Sequence, residues 1–385
     1  MQVLLTQVQK GRTWLFVKID TDEGITGFGE GSSPSGGGSL IVGKAGEIIQ
    51  DMLIGENPRD IDRIWHKIYL RFTYLGNKGP ITCIVSAVDI ALWDIKGKAL
   101  GVPIYDLVGG RFRDKIKLYT HVGTLNGPEG AVEEVKELLK LGFTAFKSDP
   151  YYSEMAPHDL QYTHGNISSE GEQHGLDIIA ALREAVGPNV DLMIDAHGMY
   201  NVPTAIRLMK NMAPYKLTWF EEPIPPDGFE GLERIRQAVD MPICVGERLY
   251  TRWDYVPIFK NHLADYVMPD IVWAGGISEM KKIANMAEAY YIPISPHDTQ
   301  GPINILAGAH TMTAVPNFYQ LEYAHINLEN YNACIDPPLD IQDGHIILSD
   351  RPGLGHDLNL DYIREHPDLP SKGYGIGWFD TTEPE

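Results

Sequence analysis

Three acids stand at a common spacing in this chain. Asp195 closes the apolar run Leu192-Met-Ile-Asp195, Glu221 closes Trp219-Phe-Glu221 and precedes a second acid, Glu222, and Glu247 closes Ile243-Cys-Val-Gly-Glu247. Each follows the last by 26 residues. Oxygen donors without cysteine suit a hard divalent cation such as Mg²⁺. Without a cation, clustered carboxylates would repel one another and take up protons. Two residues after Asp195 comes His197, and alternation along a strand would project both side chains the same way. Further on, Asp270 ends Met268-Pro-Asp270 and His297 follows Ile294-Ser-Pro. Side by side they would form a dyad in which the carboxylate orients the imidazole and raises its basicity. His297 as base and His197 as acid, on opposite sides of a metal-bound substrate, would remove a proton and expel a leaving group.

That chemistry needs elements that deliver all these groups to one place. From 116 to about 330, apolar strand-like runs alternate with amphipathic helical segments at intervals of roughly 25–30 residues, the pattern of a parallel β/α barrel. The expected strands are 116–121, 145–148, 190–195, 217–221, 243–247, 266–268, 292–294 and 318–321. Barrels keep their chemistry at the carboxyl ends of the strands. Read in order, those ends carry Lys147, Asp149, Asp195, His197, Glu221, Glu247, Asp270, His297 and Glu322. A doubly wound open sheet is the rival architecture, but it gathers ligands at one switch point rather than at many successive strand ends.

Residues 1–115 read as a separate α+β unit. A hairpin spans 12–31 with a turn at Thr21-Asp-Glu-Gly24, and helices follow near 40–54, 58–71 and 80–100. Between them, Ser32 to Ser39 forms a Gly/Ser-rich loop, either a linker or a flap over a site. Residues 331–385 are rich in proline and glycine and read as an extended tail that packs back on the first unit. The stretch from Pro150 to Gln173 is long for a barrel connection and holds Tyr151, Tyr152, His158 and His164, residues suited to a lid that reads hydroxyl groups.

Composition excludes several classes. Of 385 residues, 43% are hydrophobic and 22% charged, as in globular proteins. A formal charge of −20 argues against nucleic acid and anionic membrane surfaces as partners. The opening Met1-Gln-Val-Leu-Leu-Thr-Gln lacks a signal peptide's basic and long apolar segments, and no apolar run reaches transmembrane length. Cys83, Cys244 and Cys334 are odd in number and widely spaced, so the expected location is the reducing cytoplasm.

The residues also carry a resemblance. Gly27-Phe-Gly-Glu30, Ala87-Val-Asp-Ile-Ala-Leu-Trp-Asp94-Ile-Lys-Gly97, Gly109-Gly110, Phe220-Glu-Glu-Pro223, Gly246-Glu247-Arg248, Pro269-Asp270, Gly275-Gly-Ile277 and Pro296-His297 resemble the mandelate racemase subgroup of the enolase superfamily over nearly the whole chain. The resemblance implies an α/β fold: a (β/α)7β modified TIM barrel under an α+β capping domain that the C-terminal tail completes. It implies one Mg²⁺ per subunit on Asp195, Glu221 and Glu247, with Glu221 rather than Glu222 as the ligand. His297 with Asp270 resembles the general base, and Glu322 the acid at the end of the last strand. The shared step is removal of the proton alpha to a carboxylate. Enolase-type sites perform it with a Lys or His base while Mg²⁺ stabilises the enediolate.

Within the subgroup, Asp-x-His at 195–197, Arg248-Leu-Tyr-Thr-Arg-Trp-Asp254 and Gly76-Asn-Lys-Gly-Pro80 resemble acid-sugar dehydratases, especially those of galactonate and more loosely of mannonate. His197 would then protonate the departing 3-hydroxyl, giving a 2-keto-3-deoxy acid. Lys147 would hold the substrate carboxylate, and Arg71, Thr73 and Tyr74 would select chain length and stereochemistry. Racemases of the subgroup carry Lys-x-Lys on the second strand, whereas this chain has Lys147-Ser148-Asp149. Asp149 would therefore bind a substrate hydroxyl or join the metal site. An acid-sugar epimerase or racemase acting through the same enediolate is the nearer alternative, and a catalytically silent barrel the more distant one. The expected partner is a small acid sugar, in a homo-oligomer ranging from dimer to octamer.

Overall fold

In the computed structural model, which describes residues 1–9, 12–33, 37–151 and 165–368, the N-terminal hairpin forms because one strand buries a continuous apolar run. Strand β2 (Arg12–Asp20) places Trp14, Leu15, Phe16 and Val17 in the core. It pairs antiparallel with β1 (Gln2–Gln9) on one edge and β3 (Thr26–Glu30) on the other. Local sequence does not announce β1, because its three apolar residues in a row do not alternate. Helices α1 (Gly38–Ile49), α2 (Ile61–Arg71) and α3 (Pro80–Leu100) complete this layer.

The glycines of the first motif let β3 lie flush on α3. A Cβ on Gly27 would stand 2.2 Å from the Ala91 carbonyl oxygen, and one on Gly29 would stand 1.8 Å from that of Ala87. Both neighbours are helix backbone and cannot turn aside. Gly29→Ala should destabilise the fold by about 1–3 kcal/mol, as overpacking does. An unchanged thermal midpoint would mean that the two elements are not in contact.

Eight strand positions close the barrel. Strands β4 (Ile116–Val122), β5 (Ala145–Ser148), β6 (Asp191–Asp195), β7 (Phe220–Glu221), β8 (Ile243–Val245) and β9 (Tyr266–Val267) pair in parallel in sequence order. Single bridges join Val267 to Ile294 and Ile294 to Phe318, and β10 (Leu321–Tyr323) pairs in parallel with β4. The expected strand 292–294 is thus reduced to one bridging residue, Ile294. Pro293 and Pro296 flank it, and proline has no N–H to extend a ladder. Helices separate the strands, the last being Pro302–Thr313, which is buried on every face. The result is the α/β (β/α)7β barrel with its α+β cap.

The other sequence signatures turn out to join barrel to cap. Glu30, at the end of β3, accepts from the backbone nitrogens of Gly301 (2.6 Å) and Asn304 (3.0 Å) at the start of helix Pro302–Thr313. On α3, Asp89 accepts from Ser278 N at 3.0 Å, and the Ser86 hydroxyl accepts from Gly275 N at 2.9 Å. Gly276 has φ of +81°, and a Cβ there would meet the Asp89 carboxylate at 2.4 Å, so only glycine fits. Asp94 accepts from Phe28 N at 3.0 Å, from Lys98 Nζ at 2.8 Å and from Leu354 N at 2.9 Å, tying hairpin, helix and tail together. The tail also pairs His345–Ile346 antiparallel with the start of β4. Near the last of the described residues, His366 O accepts from Gln7 N of β1 at 3.0 Å.

Candidate active site

Barrel interiors fill in layers, and here the layers explain the site. The lower layer is Tyr119, Ala145, Met193, Trp219, Cys244 and Met268, all fully buried. Side chains repeat every second residue along a strand. Two residues onward the same inward positions therefore hold His121, Lys147, Asp195, Glu221 and Asp270. Strand β8 breaks the rule. Gly246, with φ of +139°, inserts a turn after Val245 and brings Glu247 inward instead.

Asp195, Glu221 and Glu247 each offer a carboxylate oxygen, and these atoms lie within 4.8 Å of one another. Their residues are 2%, 0% and 7% exposed. Glu221 is opposite Asp195 in the parallel register, and its Oε2 accepts from Trp219 Nε1 at 3.0 Å. Glu222 is also buried but bonds to Arg248, whose Nε lies 2.7 Å from its Oε2. Lys147 stands among the acids, its Nζ 2.7 Å from Glu221, 3.2 Å from Asp195 and 2.6 Å from Glu322. Burial, and then the charge of Asp195, push the Glu221 carboxyl well above its usual range. One ammonium does not balance so many buried acids. A cluster of hard oxygen donors with unbalanced charge fits a divalent cation.

An imidazole flanks this triad on either edge. His297 Nδ1 lies 2.6 Å from Asp270 Oδ2, and its Nε2 lies 3.3 Å from Glu247. Asp270 is held in turn by Val272 N at 2.8 Å. The ring packs on Trp273 at a centroid distance of 4.8 Å, and Trp273 Nε1 donates to Ser32 O of the cap at 2.8 Å. Burial disfavours the His297 imidazolium, but the charges of Glu322 and Glu247 and the bond to Asp270 outweigh it and raise the group to about 9. On the other edge, His197 Nε2 lies 3.5 Å from Asp195 and its Nδ1 lies 2.9 Å from Asp149. His197 is not delivered by strand alternation, since β6 has ended at Asp195. A left-handed turn (φ +48°) brings it back, with its backbone N–H on Asp195 Oδ1 at 2.8 Å.

Arg71 and Tyr74 are exposed, Tyr74 fully, and no hydrogen bond or ion pair joins either to a barrel residue among the described residues. Asp149, expected at the substrate, is engaged with His197. Of the anticipated lid, Tyr152, His158 and His164 lie outside the described residues, as does the middle of the 32–39 loop. The structure adds one neighbour that the sequence reading does not single out. His121 on β4 donates from Nε2 to Glu322 Oε1 at 2.6 Å. The same alternation that follows Ala145 with Lys147 follows Tyr119 with His121, and that signal would find it.

Comparison with known proteins agrees with this architecture. Residues 1–109 match the family described as mandelate racemase / muconate lactonizing enzyme, N-terminal domain, and residues 130–362 match enolase C-terminal domain-like. The chain is 35% identical over 365 residues to a D-galactonate dehydratase of Pectobacterium atrosepticum, covering 91% of this chain and 90% of that one. It is 32% identical over 368 residues to a D-xylonate dehydratase of Haloferax volcanii, covering 94% and 88%. Among solved structures, a mandelate racemase/muconate lactonizing enzyme-like protein from Rubrobacter xylanophilus superposes with a TM-score of 0.88 at 32% identity, covering 97% and 98% of the two chains. The 3,6-anhydro-D-galactonate cycloisomerase of Zobellia galactanivorans gives 0.85 at 29% identity, covering 96% and 98%. With family matches over both units and full-length relatives above 30% identity, the chain belongs to the mandelate racemase subgroup of the enolase superfamily.

Proposed function

We propose that this carbon–oxygen lyase dehydrates a sugar-derived 2,3-dihydroxy carboxylate, an aldonate such as galactonate or a close relative, with Mg²⁺ held by Asp195, Glu221 and Glu247. The observation that carries the reading is the buried acid triad with a carboxylate-backed imidazole at each edge. Relatives named for the dehydration of galactonate and xylonate support it. When bound, the cation supplies the positive charge that makes the proton alpha to a carboxylate removable.

His297 takes that proton at Nε2 while Nδ1–H stays on Asp270. Lys147, kept cationic by Glu221 and Glu322 despite its burial, offsets negative charge beside the substrate carboxylate. Glu322 keeps Lys147 in place, with His121 on its other side. His197 then gives a proton to the 3-hydroxyl. The C2–H and C3–O bonds break, water leaves, and the enol tautomerises to a 2-keto-3-deoxy acid. We further propose a homo-oligomer in the reducing cytoplasm that binds no nucleic acid. The net charge of −20 supports the absence of nucleic acid and the three buried free thiols the reducing compartment, and no helix among the described residues is long and apolar enough to cross a membrane.

Incubation with a panel of aldonic and aldaric acids and Mg²⁺ should produce a keto acid from at least one. Deuterium entering recovered substrate from heavy water with no keto acid would replace dehydration with epimerisation. His197→Asn should lower keto-acid formation by about 10²–10⁴, the usual worth of a general acid, while α-proton exchange continues. Equal turnover by that variant would remove His197 from the acid role.

A further inference from the structure

Among the described residues, His197 makes one firm side-chain contact. Its Nε2 is 3.5 Å from Asp195, beyond a good hydrogen bond, while Nδ1 is 2.9 Å from Asp149 Oδ2. The backbone beneath the ring is fixed on both sides. His197 N donates to Asp195, and Gly198 N donates to Glu222 O at 2.7 Å. Fixing the backbone leaves χ1 and χ2 free, and a half-turn about χ2 replaces each ring nitrogen with a ring carbon. A partner at Nδ1 is needed to choose the orientation that keeps Nε2 toward the triad.

Asp149 is placed to be that partner. It follows the last residue of β5, its carbonyl accepts from the Thr124 hydroxyl at 2.9 Å, and its side chain is 19% exposed. A carboxylate only accepts, so the nitrogen facing it carries hydrogen. The other nitrogen then faces the acid triad. The arrangement mirrors His297 and Asp270, where the separation is 2.6 Å. The chain thus sets an Asp–His pair at each edge of the triad.

We propose that Asp149 is a positioning residue: it accepts Nδ1–H of His197 and thereby holds Nε2 toward the reacting hydroxyl. This deepens the dehydratase reading and rests on it for the identity of the step. Asp149 does not itself meet the reacting atoms. It acts through the ring, so elimination depends on it while removal of the α-proton, which falls to His297, does not.

Two measurements test the assignment. The first needs no substrate. In ¹⁵N-histidine-labelled protein at fixed pH, the His197 resonances are identified by their absence from His197→Asn. Wild type should show a hydrogen-bonded Nδ1–H, Asp149→Leu should lose it, and Asp149→Asn should keep it because the amide oxygen also accepts. The second is kinetic. Asp149→Leu should lower kcat for keto-acid formation by roughly 10- to 100-fold, the usual effect of losing an orienting partner. KM and deuterium exchange at the α-carbon should change by less than about threefold. If the leucine variant fails to fold, Asp149→Ala removes the same acceptor without bulk. An unchanged Nδ1–H signal in the leucine or alanine variant overturns the proposal, and so does an equal fall in exchange and elimination. If wild type makes no keto acid from any acid sugar, the dehydratase reading fails while the nitrogen signals still decide the role of Asp149.

Discussion

His297→Asn should reduce incorporation of solvent deuterium at the substrate α-carbon to background and take keto-acid formation with it. General-base catalysis contributes about 10²–10⁴, and the two other basic groups described beside the triad are poorly placed to replace this base. Lys147 is committed to three carboxylates, and His197 stands at the far edge of the triad. Asparagine is close in shape to the near half of the ring and can still donate toward Asp270, so the fold should survive. An unchanged thermal midpoint would separate lost chemistry from lost structure. Exchange persisting at the wild-type rate would move the base elsewhere and end the assignment. Paired with His197→Asn, the variant divides the reaction in two. One substitution stops both exchange and elimination, and the other stops elimination alone.

Glu221→Gln should abolish turnover for a different reason. Glu221 is the central acid of the triad and is wholly buried. Losing an outer hydrogen-bond partner already weakens metal sites by about 10- to 100-fold. Replacing an anionic ligand with a neutral amide should lower Mg²⁺ affinity by more than that. Titration calorimetry of protein stripped with a chelator reads this without substrate. Wild type should bind one Mg²⁺ per subunit and gain thermal stability from it, because a ligand that binds only the folded state stabilises by mass action. The glutamine variant should show little of either. Full activity of the stripped wild type would refute the metal assignment outright.

Much of the architecture is legible in the sequence. The strand–helix repeat marks the barrel, and its strand ends carry the acids. Departures fall where local rules meet tertiary constraint. The strand expected at 292–294 shrinks to one bridging residue because prolines flank it, and the last strand lies slightly further along than expected, at Leu321–Tyr323. Alternation would have His197 follow Asp195 inward, whereas a left-handed turn returns it. Arg71 and Tyr74, expected at the substrate, are exposed and make no contact that would fix them to the barrel among the described residues.

By itself the sequence determined which groups are available and, for Lys147, Asp195 and Glu221, which way each points from its own strand, because side-chain direction within a strand is a property of two neighbouring residues. It also supplied the close-packing glycines at 27 and 29, whose absent side chains admit a helix. Only the tertiary structure decided which groups share a charge. Closing the barrel puts β10 beside β4, so Glu322 meets both His121 and Lys147, residues about 200 and 175 positions earlier. The pairing of Asp149 with His197 arises in the same way, across two adjacent strands. Such partnerships depend on ring closure and register, long-range properties that no short stretch of sequence encodes.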